Sequence, residues 1–146
     1  MKKVGLFVSI LGVIILGACE QKEQTKETIK ICSATDEMGR IRVEVYDVED
    51  KITRFTVAST ILYSESLSKE EAEMIVDESD NHVPQGVLMD GEINDDSYTI
   101  TMEIEIAKIM DEDLNDLEGS LPVKNIKNST VEEFVKSWEG RGFTCE

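Results

Sequence analysis

Tyr98–Ile106 (YTITMEIEI) constrains the fold of this chain more than any other segment. Side chains along a strand alternate between faces, so Tyr98, Ile100, Met102, Ile104 and Ile106 share one side. Thr99, Thr101, Glu103 and Glu105 share the other. A strand apolar on one face only belongs to a sheet that is wet on one side and covered on the other. The same alternation recurs earlier. Arg40–Tyr46 sets Ile41, Val43 and Val45 together, and Ile52–Leu62 sets Phe55, Val57 and Ile61 against Arg54, Thr56 and Thr60. Thr28–Cys32 reads as a shorter first strand, with turns at Asp36–Gly39 and Asp47–Lys51. Val87–Ile93 pairs with the Tyr98 strand across Asn94, Asp95 and Asp96.

Two helices supply the cover. Ser68-x-x-Glu71 is a capping box opening a helix with Ala72, Ile75 and Val76 on one stripe, fading near Asp80. Ser129-x-x-Glu132 is a second capping box, followed by Val131, Phe134, Val135 and Trp138 at i, i+3, i+4 and i+7. Gly140 is placed to end that helix with positive φ. Asp111–Glu118 offers one or two further turns burying Leu114 and Leu117. The expected fold is α+β: a two-layer sandwich in the order βββαββα, with an antiparallel sheet of about five strands and two main helices on one face.

A different signal precedes this domain. Lys2 and Lys3 are followed by the apolar run Val4–Ile15 and then by Leu16, Gly17, Ala18 and Cys19. As a helix that run spans roughly 18 Å, short of the ~30 Å hydrocarbon core, so it reads as an export signal rather than a permanent span. Small residues ahead of a cysteine form a lipoprotein processing site. Residues 1–18 are therefore expected to be removed, Cys19 to be acylated, residues 19–28 to form a polar tether, and 29–146 to form one domain. More than one acyl chain, at about 0.8 kcal/mol per buried CH2, anchors a protein stably. The expected location is the extracytoplasmic face of a membrane, contacted through Cys19.

Cys32 and Cys145 remain, one near each end of the domain. In an exported chain an even pair favours a disulfide over two free thiols, although both states are open to the sequence.

No reaction centre stands out. His82 is the only histidine, in a polar stretch, and no G-x-S-x-G elbow appears. With few soft ligands, zinc is disfavoured. Asp111–Asp116 resembles the start of a calcium loop, but Asp116 stands where glycine is needed and Pro122 where the closing glutamate should be. Asp90–Asp96 fails likewise, with Thr101 at the closing position. A formal charge of −16, with no basic stripe, excludes nucleic acid as a partner. No cofactor is expected. The Thr/Glu face of Tyr98–Ile106 could receive a basic partner or be solvated surface, and Trp138 reads as core.

Several pieces in this order resemble the YehR-like family of small bacterial lipoproteins. They are the strand pair Ile41–Tyr46 and Ile52–Val57 around Asp47–Lys51, and Tyr63-Ser64 ahead of Leu67–Ala72. Gly86-Val87 and the ending Gly142–Cys145 complete the set. The resemblance implies a two-layer α+β envelope lipoprotein and carries no catalytic residues. Gram-positive members with a cysteine near each end are the nearest variant, which implies a Cys32–Cys145 bridge. The expected function is a non-enzymatic binding or interaction protein of the envelope, with an envelope protein as one possible partner. A small-molecule or cation carrier would instead show a pocket between sheet and helices, and a carboxylate-dependent hydrolase a cleft with paired acids.

Overall fold

The computed structural model describes residues 26–64, 67–79, 81 and 83–146. The expected leader, Cys19 and His82 lie outside the described residues. Three strands open the fold: β1 (Thr28–Thr35), β2 (Gly39–Val48) and β3 (Lys51–Leu62). Helix α1 (Lys69–Ser79), β4 (Val87–Ile93) and β5 (Ser97–Glu105) follow, then α2 (Asp111–Glu118), a short 3-10 turn at Ile126–Asn128, α3 (Val131–Glu139) and β6 (Thr144–Cys145). The strands form one sheet in the order β4-β5-β3-β2-β1-β6, with every neighbouring pair antiparallel.

The β2–β3 hairpin is tighter than the charged run Asp47–Lys51 suggests. Only Glu49 and Asp50 form the loop, with φ of 54° and 64°. Two successive positive-φ residues match the right-handed twist of paired strands. The Asp50 N–H also donates to Asp47 Oδ1 at 3.3 Å.

Covering elements lie on the apolar face. Phe55, Phe134, Ile104, Ile126, Val43 and Val45 are among the fully buried side chains. The rings of Phe55 in β3 and Phe134 in α3 sit 5.4 Å apart, which fixes α3 over the sheet. Helix α1 approaches β4 so closely that a Cβ on Gly91 would lie 2.4 Å from Val76 Cγ1. Glycine is what that contact permits.

Several details differ from the sequence expectation. The described sheet has six strands, not about five, and three α-helices, not two, in the order βββαββααβ. Strand β6 is two residues long, too short to show a period, and exists through its pairing of Cys145 with Cys32. Helix α2 is a full element because Leu114 is buried and Leu117 packs on the same core. Ile106 falls just past β5, in a turn. Thr28 belongs to β1, and Glu27 bonds Thr53 and Arg54, so these two residues of the expected tether are part of the fold.

The α3 capping box is one residue later than expected. Thr130 Oγ1 accepts from Glu133 N at 3.2 Å, and the Glu133 carboxylate accepts from Thr130 N at 3.0 Å. Both Ser129-x-x-Glu132 and Thr130-x-x-Glu133 satisfy the pattern. Tertiary structure decides between them, since Ser129 Oγ donates to the Asn125 carbonyl and Glu132 pairs with Lys136 at 2.6 Å. Gly140 is helical at φ −62°, and the positive φ falls on Gly142 at 88°.

Candidate ligand groove at the open end of the sheet

Helix α1 covers β4 and β5, and α3 covers β1 and β6. Between them, the β1–β2 hairpin end of the apolar face is left open. The alternating residues of β2 record the boundary: Val43 and Val45 are each 1% exposed, whereas Ile41, on the same face, is 39% exposed. Cross-strand register sets Ala34, Ile41 and Ser59 side by side as the floor of a groove of about 420 Å³. Ile61, Met38 and Phe143 extend its apolar lining, and Asp36, Arg40 and Arg141 line it as well.

The C-terminal wall is held from three sides. Arg141 N and Phe143 N donate to the Trp138 carbonyl at 2.9 and 3.3 Å. The Phe143 ring meets Trp138 edge-on at 4.8 Å. Two residues later, Cys145 is joined to Cys32 by a disulfide, flanked by reciprocal backbone hydrogen bonds between Ile31 and Glu146. The bridge thus fastens the segment that carries Arg141 and Phe143.

Arginine is distributed unevenly. The chain has it at positions 40, 42, 54 and 141. On the wet face Arg42 pairs with Glu44 at 2.7 Å, and Arg54 pairs with Glu27 and Glu103 at 3.3 and 3.6 Å. Arg54 also lies 3.7 Å over the Tyr46 ring. Among the described residues, Arg40 and Arg141 have no carboxylate partner, and both line the groove. Asp36 Oδ1 is already engaged, accepting from Met38 N and Gly39 N at 2.8 and 3.1 Å.

The other places singled out in the sequence are occupied by structure. Asp111–Asp116 lies within α2, and Asp111 pairs with Lys127. Among the described residues no group of three or more His, Cys, Asp or Glu is arranged to hold a metal ion. On the Thr/Glu face, Glu105 pairs with Lys108 at 2.8 Å and Thr99 with Thr60 at 2.9 Å. Trp138 is buried. Glu44, on the wet face, takes the Tyr46 hydroxyl at 2.5 Å. That hydrogen bond is the main cause holding its carboxyl below the usual range, helped by Arg42 and Arg54 and opposed by burial. A second cleft, of about 430 Å³ between α3 and β6, is lined by Lys30 and four carboxylates, Asp50, Glu132, Glu139 and Glu146.

The groove was the feature sequence reading missed. One signal was present: Met38 is a large apolar residue in the otherwise polar turn Asp36–Gly39, and it is 72% exposed.

The uncharacterised lipoprotein Lmo0207 of Listeria monocytogenes serovar 1/2a is 31% identical over 146 residues, covering 94% of this chain and 90% of that protein. The chain belongs to this family of lipoproteins. A second member, the uncharacterised lipoprotein Lin0239 of Listeria innocua serovar 6a, is 29% identical over 143 residues with the same coverage. No family model matches the chain. An NMR structure of a protein from Streptococcus pneumoniae TIGR4 shares the fold, with a TM-score of 0.60 across 100% of this chain and 98% of that one, at 11% identity. Among the described residues of this lipoprotein, no helix is long and apolar enough to cross a membrane.

Proposed function

We propose that this lipoprotein is a non-enzymatic binding protein of the cell envelope, anchored through acylated Cys19, with the hairpin-end groove as its ligand site. One observation carries the reading: the apolar face of β2 is sealed at Val43 and Val45 and open at Ile41. A concavity of about 420 Å³ with apolar lining and a few polar groups falls in the range of small-molecule sites. Narrower membership in the YehR-like lipoproteins, on the motif order given above, is part of this proposal. So is the outer face of a Gram-positive membrane as its location.

The tether joins the fold at the start of β1, and the groove lies at the other end of that strand. From Thr28 to Ala34 the strand runs ~20 Å at about 3.3 Å per residue. The opening is therefore at the end of the sheet opposite the start of β1.

Two measurements test the proposal. Cells fed an alkyne-bearing fatty acid should label the wild-type chain and not Cys19→Ala. For the groove, full chain in phosphatidylcholine vesicles is dialysed to equilibrium against radiolabelled octanol, with protein-free vesicles as reference. Saturable binding is expected in the wild type and not in Ile41→Asn, whose site is exposed enough to tolerate the amide. Octanol uptake that never saturates refutes the groove as a ligand site.

A further inference from the structure

We infer that the outer edge of β4 docks an extended segment of another protein, with lysine or arginine at every second position, as an added strand. The edge is separate from the groove, which β4 does not line. β4 ends the sheet on one side and β6 on the other, but β6 is two residues long and β4 seven. The ladder to β5 is pinned at both ends. Glu105 N donates to the Gly86 carbonyl and Asn94 N to the Ser97 carbonyl, each at 2.8 Å. Hydrogen-bonded pairs alternate along an antiparallel ladder, so Leu88, Asp90 and Glu92 bond β5. Val87, Met89, Gly91 and Ile93 therefore turn their backbone groups outward. Of these groups only the Val87 N–H has a partner among the described residues, the Pro84 carbonyl at 3.1 Å. An open row of this kind is a template for pairing with an extended chain.

Charge selects the occupant. From Glu70 to Ala107 the chain has twelve acids and no lysine or arginine, and this stretch builds α1, β4 and β5. On the wet face, Glu103 and Glu105 of β5 reach Arg54 and Lys108. One strand farther out on that face, Asp90 and Glu92 are exposed and make no ion pair among the described residues. A strand laid beside β4 sets alternate side chains opposite Asp90 and Glu92, where opposite charge stabilises and like charge does not. The same rule disfavours a second copy of this chain. Antiparallel pairing of two β4 strands about Asp90, Gly91 or Glu92 puts acid against acid or leaves the acids of both copies in one row. The backbone thus calls for an extended chain, and the side chains call for a cationic one.

The test uses the full chain in phosphatidylcholine vesicles at physiological salt, with capped peptides alternating lysine and valine, alternating glutamate and valine, or lysine and valine N-methylated at each valine. When lysines face Asp90 and Glu92, the valine amides point at β4, so methylation removes the donors that docking needs. Binding is read by equilibrium dialysis and by residue-resolved hydrogen exchange. The unmethylated lysine peptide is expected to bind and to slow exchange at Met89, Gly91 and Ile93, while Leu88, Asp90 and Glu92, already bonded to β5, change little. The glutamate and methylated peptides should not bind. The Asp90→Asn/Glu92→Gln variant, altered only at exposed side chains, should weaken the lysine peptide roughly five- to twentyfold, as expected of two exposed ion pairs. Four results would each overturn the inference. They are no saturable binding of the lysine peptide, equal binding of the glutamate or methylated peptide, and binding without slowed exchange at Met89, Gly91 and Ile93. The fourth is protection of those amides without peptide that grows with protein concentration, which would assign the edge to a second copy.

Discussion

Breaking the Cys32–Cys145 bridge should destabilise the fold and unfasten the groove wall in one step. The two cysteines are 113 residues apart in sequence, so the bridge closes nearly the whole domain into one loop. In the chain-entropy relation a loop of that length restricts the unfolded chain by about 4.8 kcal/mol at 25 °C. For a domain of this size that corresponds to a melting temperature lower by ~15–20 °C. The local consequence follows from β6, which is two residues long and contacts the sheet only through β1. Without the bridge its backbone hydrogen bonds to Ile31 are too few to hold it. The assay compares calorimetric melting of oxidised chain, reduced chain and the Cys32→Ala/Cys145→Ala double variant, with mass spectrometry counting free thiols. Amide exchange at Ile31 and Glu146, which bond each other, should accelerate in both bridge-free states. Trp138 emission should shift red as Phe143 withdraws. A melting point lowered by less than ~5 °C with both thiols verified free would refute the reasoning. Unchanged exchange at Ile31 would refute the link to β6.

Three further outcomes follow from packing, capping and charge. Gly91→Ala forces a methyl against Val76 and should cost about 1–3 kcal/mol by overpacking, read as lower denaturant midpoint with faster amide exchange confined to α1 and β4. Thr130→Ala should cost about 1 kcal/mol and Ser129→Ala markedly less, because Thr130 holds the α3 cap; equal costs in urea melts would contradict the assignment. Tyr46→Phe keeps a ring under Arg54 but removes the hydroxyl that most lowers the Glu44 carboxyl pKa, so that pKa should rise in a carbon-detected NMR titration. A depressed native pKa stabilises above the unfolded value of about 4.3 and is lost as pH falls through the native one. The stability gap between wild type and Tyr46→Phe should thus persist at neutral pH and close in acid below that point; a gap that widens in acid would contradict it.

The strands were legible because alternation is a local property. Val43, Val45, Phe55 and Ile104 could be assigned to the covered face from neighbours two residues away, and all four are buried. Helix starts were legible to within one residue, since a capping box is also local. The choice between Ser129 and Thr130 was not, because it depends on where the preceding Ile126–Asn128 turn needs an acceptor and a donor. The short strand β6 had no period to show.

What this sequence determines alone is the one-sided strands, and hence a sheet that must be covered by helices. It could not say how completely. Coverage depends on where α1 and α3 come to rest, and that is set by contacts between residues far apart in the chain, Gly91 against Val76 and Phe55 against Phe134. Ile41 and Val43 follow the same local rule, yet one is sealed and the other open, because burial is decided by what lies above a strand rather than by the strand itself. The groove belongs to the tertiary structure for that reason.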